Sequence, residues 1–170
     1  MHDLSAFFSP LPYIETIDKE AFHPLQWGAH VKALTSEDFD HTNVLQTIAD
    51  KAVSYINKHS KEEKPFFLYL PLSAPHTPIL PTSEFLGKSN TNMYGDFVMQ
   101  VDDVLKQIRM TLKHNGLTNN TLLVFASDNG CSPRADYKEL AQVKHNPSYI
   151  YRGAKADIFE GGHRVPFIVE

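Results

Sequence analysis

Twice in this chain an amphipathic helical stripe is followed, across a turn, by a short unbroken apolar run. Leu45, Ile48, Ala49, Ala52, Val53 and Ile56 recur at three- and four-residue intervals with polar residues between them. That period gives a helix one apolar face. It predicts a helix over 43–59, with Thr42 or Asn43 as N-cap. The charged turn Ser60-Lys61-Glu62-Glu63-Lys64 and Pro65 separate it from Phe66-Phe67-Leu68-Tyr69-Leu70. A run so short, bounded by turn signals, fits a strand buried on both faces, as in a parallel sheet. The second copy of the pattern uses Phe97, Val98, Val101, Val104, Leu105, Ile108 and Leu112, predicting a helix over 94–114. Asn115-Gly116 is a fitting stop, and the apolar run at 121–126 is the second strand. The order helix, strand, helix, strand is expected to build an α/β fold. Its central sheet should be mainly parallel and flanked by helices.

The 170 residues, 42% hydrophobic and 21% charged, suffice for one globular domain with a true core. Net charge is −4, and no Lys/Arg cluster has interleaved aromatics, so a nucleic-acid partner is not expected. No apolar run reaches the roughly 18 residues that a membrane span requires. Met1-His2-Asp3-Leu4 lacks a basic region followed by an apolar stretch, so a signal peptide is not expected in this segment. Residues 1–42 scatter Pro10, Pro12, Pro24 and several aromatics without a period, and read as an irregular, loop-rich segment. Phe167-Ile168-Val169-Glu170 looks like the opening of a further strand. The expectation is therefore a domain truncated at both ends.

In open α/β sheets, ligands bind beyond the carboxyl ends of the strands. Two candidate groups follow such ends. Asp128-Asn129 supplies a carboxylate and an amide carbonyl, hard oxygen ligands that suit Ca²⁺ or Mg²⁺. The same Asp-Asn-Gly triplet also reads as a plain turn. His76, in the Pro-rich loop after the first apolar run, is a candidate general acid or oxyanion contact. Its alternative is a surface or capping residue. Lys155, between Arg152-Gly153 and Glu160-Gly161-Gly162, could meet an anion as a point charge, or be a solvated loop lysine. The only cysteine, Cys131, excludes an internal disulfide. It is set in Cys131-Ser132-Pro133-Arg134-Ala135, which places Arg one position early for a Cys-x-Pro-x-Arg signature. Cys131 is rejected as a nucleophile and read as a small packing thiol.

Four stretches together resemble the type I, formylglycine-dependent sulfatases of the alkaline phosphatase superfamily. They are Lys64-Pro65-Phe66-Phe67-Leu68-Tyr69 with Ala74-Pro75-His76-Thr77-Pro78; Tyr94-Gly95-Asp96 with Val101-Asp102-Asp103; 124–130; and Arg152-Gly153-Ala154-Lys155 with Glu160-Gly161-Gly162-His163-Arg164-Val165-Pro166. The resemblance covers 43–170, which would be a partial catalytic domain of an alkaline-phosphatase-like sandwich. It implies that Asp128 and Asn129 are Ca²⁺ ligands, that His76 contacts the sulfate ester and protonates the leaving alcohol, and that Lys155 binds a sulfate oxygen. His145 and Arg152, near the mouth of the site, are implied sugar contacts, with loop packing as their alternative. His163 and Arg164 are expected to be structural.

The family's formylglycine nucleophile and its paired Asp-Asp are missing from this sequence. The segment is thus expected to hold a minority of the metal ligands, to need the remainder of the parent domain, and to show no turnover alone. The implied substrate is a sulfated small molecule or glycan, with a carbohydrate sulfate preferred. The implied location is the periplasm or outside the cell. Two rivals remain: a two-zinc phosphatase or phosphodiesterase of the same superfamily, for which the Asn129 amide is a poor ligand, and a non-catalytic chain.

Overall fold

The computed structural model describes residues 39–170. The loop-rich reading of the N-terminal segment falls almost wholly outside them. Residues His41–Glu170 form one compact unit. A 3₁₀ turn at His41–Asn43 leads into helix α1, Val44–His59. Asn43 takes the N-cap position, yet its side chain caps no amide. Helix α2, Met93–His114, starts one residue before the predicted bound. Its N-cap is Asn92, whose side chain accepts from the Tyr94 and Gly95 amides, at 3.1 and 3.2 Å. That cap satisfies two of the amides a helix start leaves unpaired.

The helices pack in the same direction, as their contacts show in order. Leu45 and Ala49 meet Phe97, Val101 and Val104 in one cluster, and Ala52 and Ile56 meet Ile108 and Leu112 in the next. Polar pairs repeat the order: Gln46 Nε2 donates to Gln107 Oε1 at 3.3 Å, and Asn115 Nδ2 donates to Asn57 Oδ1 at 2.7 Å. Ile56 is 1% exposed and Leu45 2%. Burying such side chains contributes about 1.5–3 kcal/mol each.

Both apolar runs lie on this helix pair and follow it the same way. Phe66, Leu68 and Leu70 pack on the second cluster, and Leu72 on the first. Leu123 touches the second cluster and Phe125 the first. The carboxyl ends of both runs therefore arrive where α1 and α2 begin.

The sheet differs from expectation. Among the described residues it has two strands, β1 (Val124–Ala126) and β2 (Phe167–Val169), paired antiparallel. The register sets Val124 opposite Val169, Phe125 opposite Ile168 and Ala126 opposite Phe167. Leu123 and Glu170 extend it by exchanging both backbone bonds, at 2.9 and 3.0 Å. The reason lies in the connection. Parallel neighbours need a crossover that carries the chain back along a helix, and β1 to β2 is joined only by loops and the short helices α3 (Tyr137–Gln142) and α4 (Glu160–His163). Residues 66–70 belong to no strand ladder. They also bury only one face, since Phe67 is 76% and Tyr69 70% exposed. No helix of the described residues is long and apolar enough to cross a membrane.

Candidate functional site

The loop that opens α2 is fixed from within. Asp96 is buried, and its carboxylate accepts the Gly87 and Ser89 amides at 2.8 and 2.9 Å. Burial pushes this carboxyl upward, but hydrogen bonds from the Ser89 amide and hydroxyl and from the Gly87 amide outweigh it and hold it below the ordinary aspartate value. Asn92 Nδ2 then donates to the Ala135 carbonyl at 2.8 Å. The start of α2 is thereby tied to the loop that follows β1.

That loop carries Asp128 and Asn129. Asp128 is exposed and Asn129 half-buried. Neither side chain hydrogen-bonds or ion-pairs with a described residue; the loop is shaped instead by Ser127 Oγ donating to the Asn129 carbonyl at 2.9 Å. One residue on, the Gly130 amide donates to the Gly162 carbonyl at 2.8 Å. A Cβ built on Gly130 would lie 1.8 Å from the Gly161 carbonyl oxygen, and one on Gly161 would lie 2.2 Å from that of Gly153. Three backbone segments thus stack directly on one another, an approach only glycine permits.

The third segment is the lysine loop. Gly161 N–H donates to the Arg152 carbonyl at 2.8 Å, and Lys155 N–H donates to the Cys131 carbonyl at 2.9 Å. Lys155 is half-buried, and its ammonium has no partner among the described residues. The Cys131 carbonyl also accepts Tyr137 Oη at 3.2 Å, and Tyr137 Oη lies 3.3 Å from Ser148 Oγ. Burial pushes the Tyr137 hydroxyl up to about 12, the Ser148 contact opposing it and Cys131 adding to it. Tyr94 is pushed up too, by burial and then by a hydrogen bond with the Cys131 side chain. Cys131, rejected as a nucleophile, therefore sits between the Tyr94 and Tyr137 phenols, and its carbonyl joins the Asp-Asn loop to Lys155.

His76 is exposed on a turn where its amide bonds the Ser73 carbonyl at 3.2 Å. Its Nδ1 is 2.8 Å from the Thr77 carbonyl. A carbonyl only accepts, so Nδ1 carries the proton, leaving Nε2 a lone pair in the neutral ring and a donor in the imidazolium. Arg152 is exposed, with its guanidinium 3.8 Å above the Phe159 ring. His145 is exposed and held by its amide to the Leu140 carbonyl at 3.0 Å. His163 bonds the Ile158 carbonyl at 3.1 Å, and Arg164 pairs with Glu160 at 3.2 Å and lies over Tyr151 at 4.7 Å. Both act as local fasteners.

Among the described residues no three His, Cys, Asp or Glu side chains converge as a metal cage. Asp128 and Asn129 fit a hard cation in donor type, as two members of a larger ligand set. The glycine stack and the Cys131 carbonyl are the parts of the site that residue reading missed. Gly130 and the Gly161-Gly162 doublet offered a signal, as glycines outside obvious tight turns. The Cys131 carbonyl offered none, because backbone acceptors have no sequence mark.

A family model described as Sulfatase matches residues 2–170. The chain belongs to the sulfatase family. It is 40% identical over 146 residues to an N-acetylgalactosamine-6-O-sulfatase of Bacteroides thetaiotaomicron, covering 84% of this chain and 28% of that protein. It is 32% identical over 136 residues to an arylsulfatase of Hemicentrotus pulcherrimus, covering 80% and 23%. A solved structure from work on the metabolism of multiple glycosaminoglycans by Bacteroides thetaiotaomicron matches with a TM-score of 0.72 at 37% identity, over 81% of this chain and 29% of that one. Ps i-CgsB in complex with k-i-k-neocarrahexaose matches with a TM-score of 0.62 at 30% identity, over 75% and 28%. The chain therefore spans between about a fifth and a third of the length of these relatives.

Proposed function

We propose that this chain is the part of a sulfate-ester hydrolase that supplies two calcium ligands, a sulfate-binding lysine and the leaving-group acid. One observation carries the reading. In a chain of the sulfatase family, Asp128, Asn129 and Lys155 present polar side chains without a partner among the described residues, from two loops that are fastened to each other through backbone atoms.

Asp128 and Asn129 would hold the cation. Lys155 would place its ammonium on a sulfate oxygen, and the 2.9 Å bond from its amide to Cys131 would set its distance from the Asp-Asn loop. His76, anchored through Nδ1, would present Nε2–H of its imidazolium to the departing alcohol oxygen. Calcium would neutralise charge on the sulfuryl oxygens, and a formylglycine hydrate from the remainder of the domain would supply the attacking oxygen. His145 and Arg152 would border the sugar. The glycan relatives support a carbohydrate sulfate as substrate, and the family resemblance supports the periplasm or cell exterior as the location.

Calcium titration of the 170-residue chain by calorimetry tests this. Expected is weak binding, roughly 10⁻⁴–10⁻³ M for a site short of ligands, abolished by Asp128→Ala, with no hydrolysis of 4-nitrophenyl sulfate. Two zinc ions bound in place of calcium would sink the sulfatase chemistry. Steady hydrolysis by the chain, lost in Lys155→Ala, would sink its dependence on further residues.

A further inference from the structure

A cavity of about 660 Å³ opens beside the lysine loop, between 133–138 and 153–157. Its chemistry is mixed. Arg134 and Lys138 bring two cations, Asp136 and Asp157 two carboxylates, and Tyr137 an aromatic wall. The carboxylates are already engaged by backbone. Asp136 Oδ1 accepts the Glu139 amide at 3.1 Å, and Asp157 Oδ2 accepts the Ala154 amide at 2.8 Å. Each keeps further lone pairs for a hydroxyl group. The Tyr137 ring is fixed by its bond to the Cys131 carbonyl, 3.2 Å. Lys138 is exposed and has no partner among the described residues.

We propose that this cavity is a sugar subsite for an anionic unit adjoining the one that carries the scissile sulfate. Donors, acceptors and one rigid aromatic face are what a pyranose ring needs, since it offers hydroxyls at its rim and C–H groups on its face. Arg134 and Lys138 add recognition of an oxyanion, either a uronate carboxylate or a second sulfate. The wall residue Ala154 precedes Lys155 directly, and the Lys155 amide and Tyr137 Oη share the Cys131 carbonyl, so the cavity adjoins the lysine loop. The inference rests on the proposed sulfatase reading for the identity of the neighbouring site, but not for the binding itself.

The test is amide NMR titration of the 170-residue chain without calcium. The probes are a disaccharide of a uronic acid and a sulfated hexosamine, its desulfated form, a disulfated disaccharide lacking the uronate, and neutral lactose. Expected are shifts at 133–138 and 153–157 with the anionic probes, and binding weakened about fivefold or more in Arg134→Ala/Lys138→Ala, consistent with about 1 kcal/mol from exposed charge pairs. Shifts with the desulfated probe assign the carboxylate, and shifts with the uronate-free probe assign the second sulfate. Lactose binding as well as the anionic probes, unchanged affinity in the double variant, or shifts confined to other residues would each overturn the proposal. Calcium binding that survives Asp128→Ala, with this titration intact, would overturn the sulfatase reading alone.

Discussion

Gly130→Ala measures what the backbone stack is worth. The added Cβ would sit 1.8 Å from the Gly161 carbonyl oxygen, and 2.9 Å from its carbonyl carbon. A carbon needs about 3.3 Å from a carbonyl oxygen, so the two segments must part by about 1.5 Å. The 2.8 Å bond from Gly130 N–H to Gly162 O does not survive that separation. Overpacking costs about 1–3 kcal/mol, and the lost bond about 1 kcal/mol more. The expected destabilisation is about 2–4 kcal/mol, or a fall in Tm of roughly 5–15 °C for a chain of this length. Gly116→Ala is the control: it meets nothing within 4 Å, but its φ of +71° costs an L-residue about 1–2 kcal/mol. Urea denaturation of both variants, followed by far-ultraviolet circular dichroism, gives the comparison. If Gly130→Ala is no more destabilising than Gly116→Ala, the stack is not close-packed and the argument that it sets the distance between the two loops fails.

Two further perturbations probe charge. Asp96→Asn should cost about 2–3 kcal/mol, because an amide replaces a buried carboxylate that accepts two backbone amides, and a hydrogen bond to a charged group contributes about 1.5–3 kcal/mol. As the folded carboxyl lies below its unfolded value, its contribution is present above about pH 3.9 and lost as pH falls through the lower folded value, so acid denaturation of the variant should be shallower than that of the parent sequence. Arg109 grips Glu170 with two bonds of 2.6 Å and, through them, lowers the Glu170 carboxyl. The pair is exposed, so Glu170→Gln should remove a stabilisation that is present above about pH 4.3, fades in acid and is screened by salt; equal melting curves at low and high salt for the parent sequence would contradict this.

The helices were the legible part of the fold because their apolar faces repeat at the helical period, and Ala49, Ile56, Val104 and Ile108 all reached the core. The strands were legible as apolar runs and no further. A continuous run does not state its partner, and periodicity could not foresee that β1 would pair with residues 167–169 in the reverse direction. Nor could it show that Phe67 and Tyr69 would be open while Phe66, Leu68 and Leu70 are packed. In the site, side chains announced themselves by type: His76, Asp128 and Lys155 are conspicuous residues in loops. What fixes the spacing of the Asp128 and Lys155 loops is carbonyl and amide groups of Gly130, Cys131, Arg152 and Gly162, which carry no mark in the sequence.

The outer side of the extended segments has its own consequence. Phe67, Tyr69, Leu122, Val124, Phe167 and Val169 face away from α1 and α2, and each is half or more open to solvent except Val124 at 48%. A surface of that composition is what chaperones grip and what nucleates aggregation at micromolar concentration. Made as a separate polypeptide, the chain would be governed first by cellular quality control and only afterwards by its chemistry, so its yield and lifetime would respond to Phe67→Ser or Leu122→Ser before they responded to any change at Asp128 or Lys155.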